Sequence, residues 1–121
     1  MVSVQFKSGS SSDELETFAE SAGRASAFLK AISHEARLMI LCILAEGEKS
    51  VTEIESILGL QQAVVSQQLA RLRQEDVVET RREGRQIYYR IANPDIHGII
   101  NALYSMFCQT AGVCNPGEAI K

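Results

Sequence analysis

A chain of 121 residues with 45% apolar side chains is enough for one small domain and one core. Its longest unbroken apolar run, Leu38 to Ala45, is far too short to cross a bilayer, and no apolar leader-like stretch follows the start, so a cytoplasmic protein is expected. Three cysteines are an odd number of thiols for that compartment rather than a disulfide scaffold, and the net charge of −3 by itself argues against a nucleic-acid partner. An enzyme is not indicated either: there is no Gly-rich phosphate loop, and neither of the two histidines has a nucleophile at useful spacing.

In chain order, residues 1–12 are polar and rich in Gly and Ser, expected as a flexible tail. Asp13 to Ile32 reads as an amphipathic helix, with Leu15, Phe18, Ala19, Ala22, Ala25, Leu29 and Ile32 at three- and four-residue spacing. A second helix is expected after Ser33 as N-cap, continuing to Gly47; it is apolar nearly all round and so should be central and buried. Ser50-Val-Thr-Glu53 is a capping box opening a third helix, with Val51, Ile54, Ile57 and Leu58 on one stripe and a stop at Gly59. A fourth runs from Gln62 to Gln74 with Val65, Leu69 and Leu72 facing inward.

Val77 to Ile91 then alternates as a β-hairpin turning near Glu83-Gly84, with Val78 and Thr80 answered by Ile87, Tyr89 and Ile91. Asn93-Pro94 caps and starts a last helix, with Ile96, Ile99, Ile100, Leu103 and Phe107 inward and an end near Gly112. Residues 113–121 form a second tail, which leaves 13–112 as the folded domain. The predicted fold is mainly α with a small β-hairpin: a five-helix winged helix-turn-helix. The apolar stripes of the first and last helices exceed what so small a core can cover, which points to a homodimer.

At 100° per residue, the outward face of the fourth helix carries Ala63, Ser66, Gln67, Ala70 and Arg71, with no acid and no large apolar group. Such a surface suits the edges of bases in a DNA major groove. Gln62, Ala63, Ser66 and Gln67 are the candidate base contacts. Arg71 and the hairpin arginines Arg81, Arg82 and Arg85 are candidates for phosphates or the minor groove. Charge distribution agrees, because residues 61–90 hold six arginines against four acids while residues 1–60 hold five basic against nine acidic side chains. A helix-turn-helix used to dock another protein is the competing interpretation; it predicts no salt-dependent binding to duplex DNA.

Ser33-His-Glu-Ala-Arg-Leu-Met-Ile-Leu41, Val64-Val-Ser-Gln-Gln-Leu-Ala-Arg-Leu72 and Arg82-Glu-Gly-Arg-Gln-Ile-Tyr-Tyr-Arg-Ile91 together resemble the ArsR/SmtB family of winged-helix repressors, over roughly residues 15 to 108. The resemblance implies a dimer that occupies operator DNA and releases it on induction. Gln68 departs from the His usual after Ser-Gln, and Gln61 from the usual Ser.

The inducer is read from cysteine and histidine positions. Cys42, inside Leu-Met-Ile-Leu-Cys-Ile-Leu, is by composition a small apolar filler. One thiol on that helix and one, Cys108, on the last helix is nevertheless similar to the persulfide-sensing branch of the family, the SqrR/BigR repressors. That similarity implies oxidation of the two thiols to a di- or polysulfide bridge by reactive sulfur species, and control of sulfide-handling genes. The idea requires the two sulfur atoms to lie near one another in the fold. Metal-sensing branches fit less well. Glu53 to Leu58 has no thiol where one branch has Cys-x-Cys; a second zinc pattern begins at Asp95 and His97 but meets Cys108 and Ala111 where its other ligands would be. No metal or other cofactor is therefore assigned. Three thiolates, with Cys114 joining Cys42 and Cys108, leave arsenite or another soft ion as an alternative inducer, and a peroxide response as another.

Overall fold

The computed structural model describes residues 11–109; both tails but for Ser11 and Ser12, Gly112 and Cys114 lie outside the described residues. Five helices and a three-stranded antiparallel sheet follow in the order α1 (Ser12–Ile32), α2 (Glu35–Leu44), β1 (Lys49–Ser50), α3 (Val51–Leu58), α4 (Gln62–Gln74), β2 (Val78–Glu83), β3 (Gln86–Ile91) and α5 (Pro94–Tyr104). Beyond Tyr104 the last helix continues as a π-helical turn over Ser105–Gln109.

Helix α1 starts one residue before the expected Asp13, because the Ser11 hydroxyl accepts from the Glu14 amide; Asp13 and Glu14 then lie at the positive end of the helix dipole. The N-cap of α2 is His34 and not Ser33. His34 Nδ1 accepts from the Ala36 amide at 3.2 Å, whereas the Ser33 hydroxyl donates to the Lys30 carbonyl at 3.0 Å. Only these two residues separate the helices, so one finishes α1 and the other begins α2. Helix α2 ends at Leu44 rather than Gly47, and a turn carries the chain into β1.

The Ser50 capping box closes in both directions: Ser50 Oγ accepts from the Glu53 amide at 3.1 Å and the Glu53 carboxylate accepts from the Ser50 amide at 2.9 Å. Gly59 ends α3 in the left-handed region at φ 66°, where a Cβ would be strained. These two signals set the length of α3, and with it the angle at which α4 leaves.

The core is centred on α2. Its Ile40, Leu41 and Leu44 cluster with Ile54 of α3, Val65, Leu69 and Leu72 of α4, Val77 and Val78 at the start of the wing, and Ile96 and Ile100 of α5; Ile43 is buried as well. Each such side chain contributes roughly 1.5–3 kcal/mol on burial. Helix α1 adds only Ala31 and Ile32, at its end. Leu15, Phe18 and Leu29 of α1 are exposed in the single chain, as are Ile99, Met106 and Phe107. Ile99 and Phe107 thus depart from the expected inward stripe, which Ile96, Ile100 and half-buried Leu103 keep. The π-helical turn changes the repeat after Tyr104, so spacing extrapolated from α5 no longer describes Phe107.

The wing pairs Val78 with Ile91, Thr80 with Tyr89 and Arg82 with Ile87, in the register the alternation predicts. Its tip is Gly84-Arg85, with Gly84 at φ 62°, one residue later than expected. Strand β1 was not anticipated. It pairs Lys49 with Tyr89 and Ser50 with Tyr88, making β3 the central strand in the order β1-β3-β2. Among the described residues no helix is long and apolar enough to cross a membrane.

Ser50→Ala removes the hydroxyl that accepts from the Glu53 amide, so the first turn of α3 loses its side-chain cap. The substitution is expected to lower stability by about 1 kcal/mol in urea denaturation, with an unchanged denaturant slope.

Candidate nucleic-acid interface and thiol pair

Helix α4 is fixed by its inner side: Val65, Leu69 and Leu72 are fully buried, which turns Gln62, Ala63, Ser66, Gln67, Ala70 and Arg71 outward, all exposed. Its N-cap, Gln61, makes no side-chain cap bond, and the first turn contains no acid. The leading amides of α4 are left to other acceptors, at the end of a helix that favours negative charge. Val64 is also partly open on this surface, an apolar group that the inward stripe did not include.

Gln68 has a different use. Its Oε1 accepts from Arg37 Nε at 2.8 Å, while Arg37 Nη1 donates to the Ala31 carbonyl at 2.9 Å. One guanidinium on α2 therefore holds both the end of α1 and the side of α4. Sequence reasoning missed Arg37; the available signal was a lone cation in an otherwise apolar helix.

The wing arginines divide into two kinds. Arg81 Nε and Nη2 donate to Glu48, the latter at 2.7 Å, and its Nη1 donates to Glu83 at 2.7 Å. The guanidinium carbon also lies 4.5 Å from the centre of the Tyr88 ring, its cross-strand neighbour. The bonds to Glu48, then those to Glu83, raise the Arg81 pKa further above its already high value. Arg81, expected with the phosphate contacts, is thus occupied by the protein itself, bracing the wing against the turn before β1. Arg90 similarly pairs with Glu79 at 2.7 Å across the strands. Arg82 and Arg85 are exposed and form no ion pair among the described residues.

Cys42 and Cys108 are both free and half-buried, one on α2 and one on the π-helical turn. Burial pushes the Cys42 thiol up, and the nearby Cys108 thiolate pushes it further, so the two groups lie within electrostatic reach of each other. Their helices are tied at one point by His97, whose Nε2 donates to the Ala45 carbonyl at 2.8 Å while Nδ1 accepts from Asn101 at 2.9 Å. A carbonyl oxygen only accepts, so Nε2 is the donor in the bond to Ala45. Both ring nitrogens are engaged, and His97 is half-buried. Among the described residues no three His, Cys, Asp or Glu side chains gather as a metal site.

A helix-turn-helix with an exposed polar reading face and a braced basic hairpin defines a winged-helix DNA-binding regulator. The comparisons give the particular lineage. Residues 34–80 match the family model described as "Bacterial regulatory protein, arsR family". The chain is 50% identical over 80 residues to the biofilm growth-associated repressor of Agrobacterium fabrum, a span covering 66% of this chain and 68% of that one. Among solved structures, it is similar to the transcriptional repressor BigR from Xylella fastidiosa, with a TM-score of 0.67 and 41% identity over 82% of this chain and 98% of that chain. It is also similar to reduced HlyU from Vibrio cholerae, at TM-score 0.73 and 35% identity over 77% of this chain and 98% of the other. The chain belongs to the ArsR family of transcriptional regulators and binds DNA as one.

Because the Cys42 pKa is raised, its alkylation should keep accelerating with pH beyond the range of an ordinary thiol. Removing the neighbouring charge in Cys108→Ser should lower the midpoint, leaving the larger effect of burial in place. Mass-resolved alkylation of Cys42 from neutral to alkaline pH measures both effects.

Proposed function

We propose that this regulator is a dimeric repressor that leaves its operator when Cys42 and Cys108 are oxidised by persulfides or related sulfur species, and that it governs sulfide-handling genes. The observation that carries the reading is the placement of two free, half-buried thiols on α2 and on the continuation of α5, with Cys108 near enough to raise the Cys42 pKa. The similarity to proteins named repressors supports the direction of control. The exposed Leu15, Phe18, Leu29, Ile99, Met106 and Phe107 support a partner subunit covering α1 and α5. A twofold dimer brings two α4 helices to half-sites about 34 Å apart on a palindrome.

The chemistry balances without a metal. One thiolate takes the sulfane sulfur of a small persulfide and releases the corresponding thiol. The second thiolate then displaces hydrosulfide and closes the disulfide. Two protein thiols lose two electrons, and the sulfane sulfur leaves reduced. Each further sulfur retained in the bridge consumes one more persulfide and releases one more thiol. The bridge links the helix behind α4 to the last helix, so it acts on both reading heads of a dimer together.

Within the DNA surface, Gln62, Ala63, Ser66 and Gln67 read bases, while Arg71, Arg82 and Arg85 contact phosphates or the minor groove. Arg81 orients the hairpin that carries the last two. Arg82→Ala is expected to weaken binding to every duplex and reduce the slope of log K against log salt by about 0.9 per lost phosphate contact. Gln67→Ala instead relaxes sequence preference, and Arg81→Ala weakens binding with the slope retained. Titrations of operator and random duplex at several salt concentrations separate the three; equal slopes for Arg81→Ala and Arg82→Ala would overturn the division.

For the switch, Cys42→Ser and Cys108→Ser should bind operator normally yet fail to release it on persulfide treatment, whereas Cys114→Ser should still release. Intact mass after separate exposure to persulfide, peroxide and arsenite identifies the inducer. An arsenite adduct retaining all three thiols, with no persulfide-dependent bridge, would replace the proposal with soft-ion sensing.

A further inference from the structure

The buried side chains of α4 form nearly a line: Val65, Leu69 and Leu72 lie within about 60° of one another around the helix axis. A linear contact of apolar groups fixes where a helix lies but resists roll about its own axis only weakly, since hydrophobic packing is not directional. Gln68 stands about 100° from Leu69, to the side of that line. There its amide oxygen accepts from Arg37 at 2.8 Å. Arg37 is half-buried, and its other anchor is the carbonyl of Ala31, at the negative end of α1. A guanidinium partly withdrawn from water needs its hydrogen-bond acceptors, so the geometry is held from both sides. Arg37 also precedes Cys42 on α2 by five residues, about one and a half turns.

We propose that the Arg37–Gln68 hydrogen bond sets the roll of α4 and is the joint through which a displacement of α2 reaches the reading face. Gln68 is then a positioning residue and not a base reader, although it stands beside Gln67 in a helix that enters the groove. A roll of α4 moves every outward side chain at once, so loss of the joint spreads over the half-site. Loss of a base contact is confined to one or two base pairs. The second part, transmission from α2, rests on the thiol reading above; the first part does not.

The test uses the full-length dimer and an operator selected from random duplex by the unmodified protein. Gln68→Ala and Arg37→Gln are compared with the parent on a panel in which each operator position is substituted singly. For both variants the expected result is several-fold loss of discrimination distributed across the positions read by α4, with the salt slope and random-duplex affinity unchanged. Loss confined to a single position in Gln68→Ala would make Gln68 a reader and overturn the proposal. Because Arg37→Gln perturbs a half-buried site, Gln68→Ala with its folding checked by urea denaturation is the deciding variant.

The same proteins are then bridged with a small persulfide, bridge formation is measured by intact mass, and operator affinity is compared before and after. Gln68→Ala should bridge as fully as the parent yet show a several-fold smaller change in affinity. A full-sized change would remove the transmission role. Absence of a bridge in the parent would instead refute the thiol reading, while the substitution panel still decides whether Arg37 and Gln68 position α4.

Discussion

Everything in this domain is referred to α2, because that helix is enclosed on nearly every side. Ile40, Leu41 and Leu44 meet side chains from α3, α4, the base of the wing and α5 within one core. At protein packing density no neighbour can shift far without another yielding. The polar links repeat the arrangement. Arg37, in the first turn of α2, reaches α1 and α4, and the carbonyl of Ala45, just past its end, receives His97 from α5. The most apolar segment of the chain is therefore also its mechanical hub, with specificity supplied by two hydrogen-bonded side chains at its ends.

The basic hairpin shows how a single residue type can do two jobs in adjacent positions. Arg81 and Arg82 point to opposite faces of β2 because strand side chains alternate. The face bearing Arg81 also bears Glu83 and is opposed by Tyr88, and Glu48 closes it from the preceding turn. Exposed ion pairs of this kind contribute little to folding free energy individually. Their effect here is on direction: two carboxylates and an aromatic ring restrict where the hairpin can point, while Arg82 and Arg85 keep their charge for a partner.

Much of the architecture was legible because it depends on local signals. The Ser50 capping box, Gly59, Asn93-Pro94 and the period-two hairpin each act within a few residues, and each occurs where the pattern put it. The differences have local causes too. A two-residue connection made His34 the cap of α2, and a π-helical turn displaced the stripe expected at Phe107. A two-residue strand has no periodicity to detect, so β1 emerged only from its pairing with β3. The polar side of α4 is exposed as its spacing predicts, yet Gln68 was noted only as a departure from the family pattern and Arg81 was grouped with the other wing arginines, while their partners Arg37 and Glu48 lie 31 and 33 residues away. Such pairings arise from tertiary packing: the sequence can single out a cation such as Arg37 in an apolar helix, but it does not name the partner.

Helix α1 has one further effect. Its acidic residues Asp13, Glu14, Glu16 and Glu20 are exposed along its first part, about 17–27 Å along the axis from the Ala31 end that Arg37 fastens beside α4. Charge is therefore unevenly spread among the described residues, acidic along the first part of α1 and basic at the exposed Arg71, Arg82 and Arg85 of α4 and the wing. An uneven spread of this kind gives a polyanion a preferred direction of approach even to a chain whose net charge is −3.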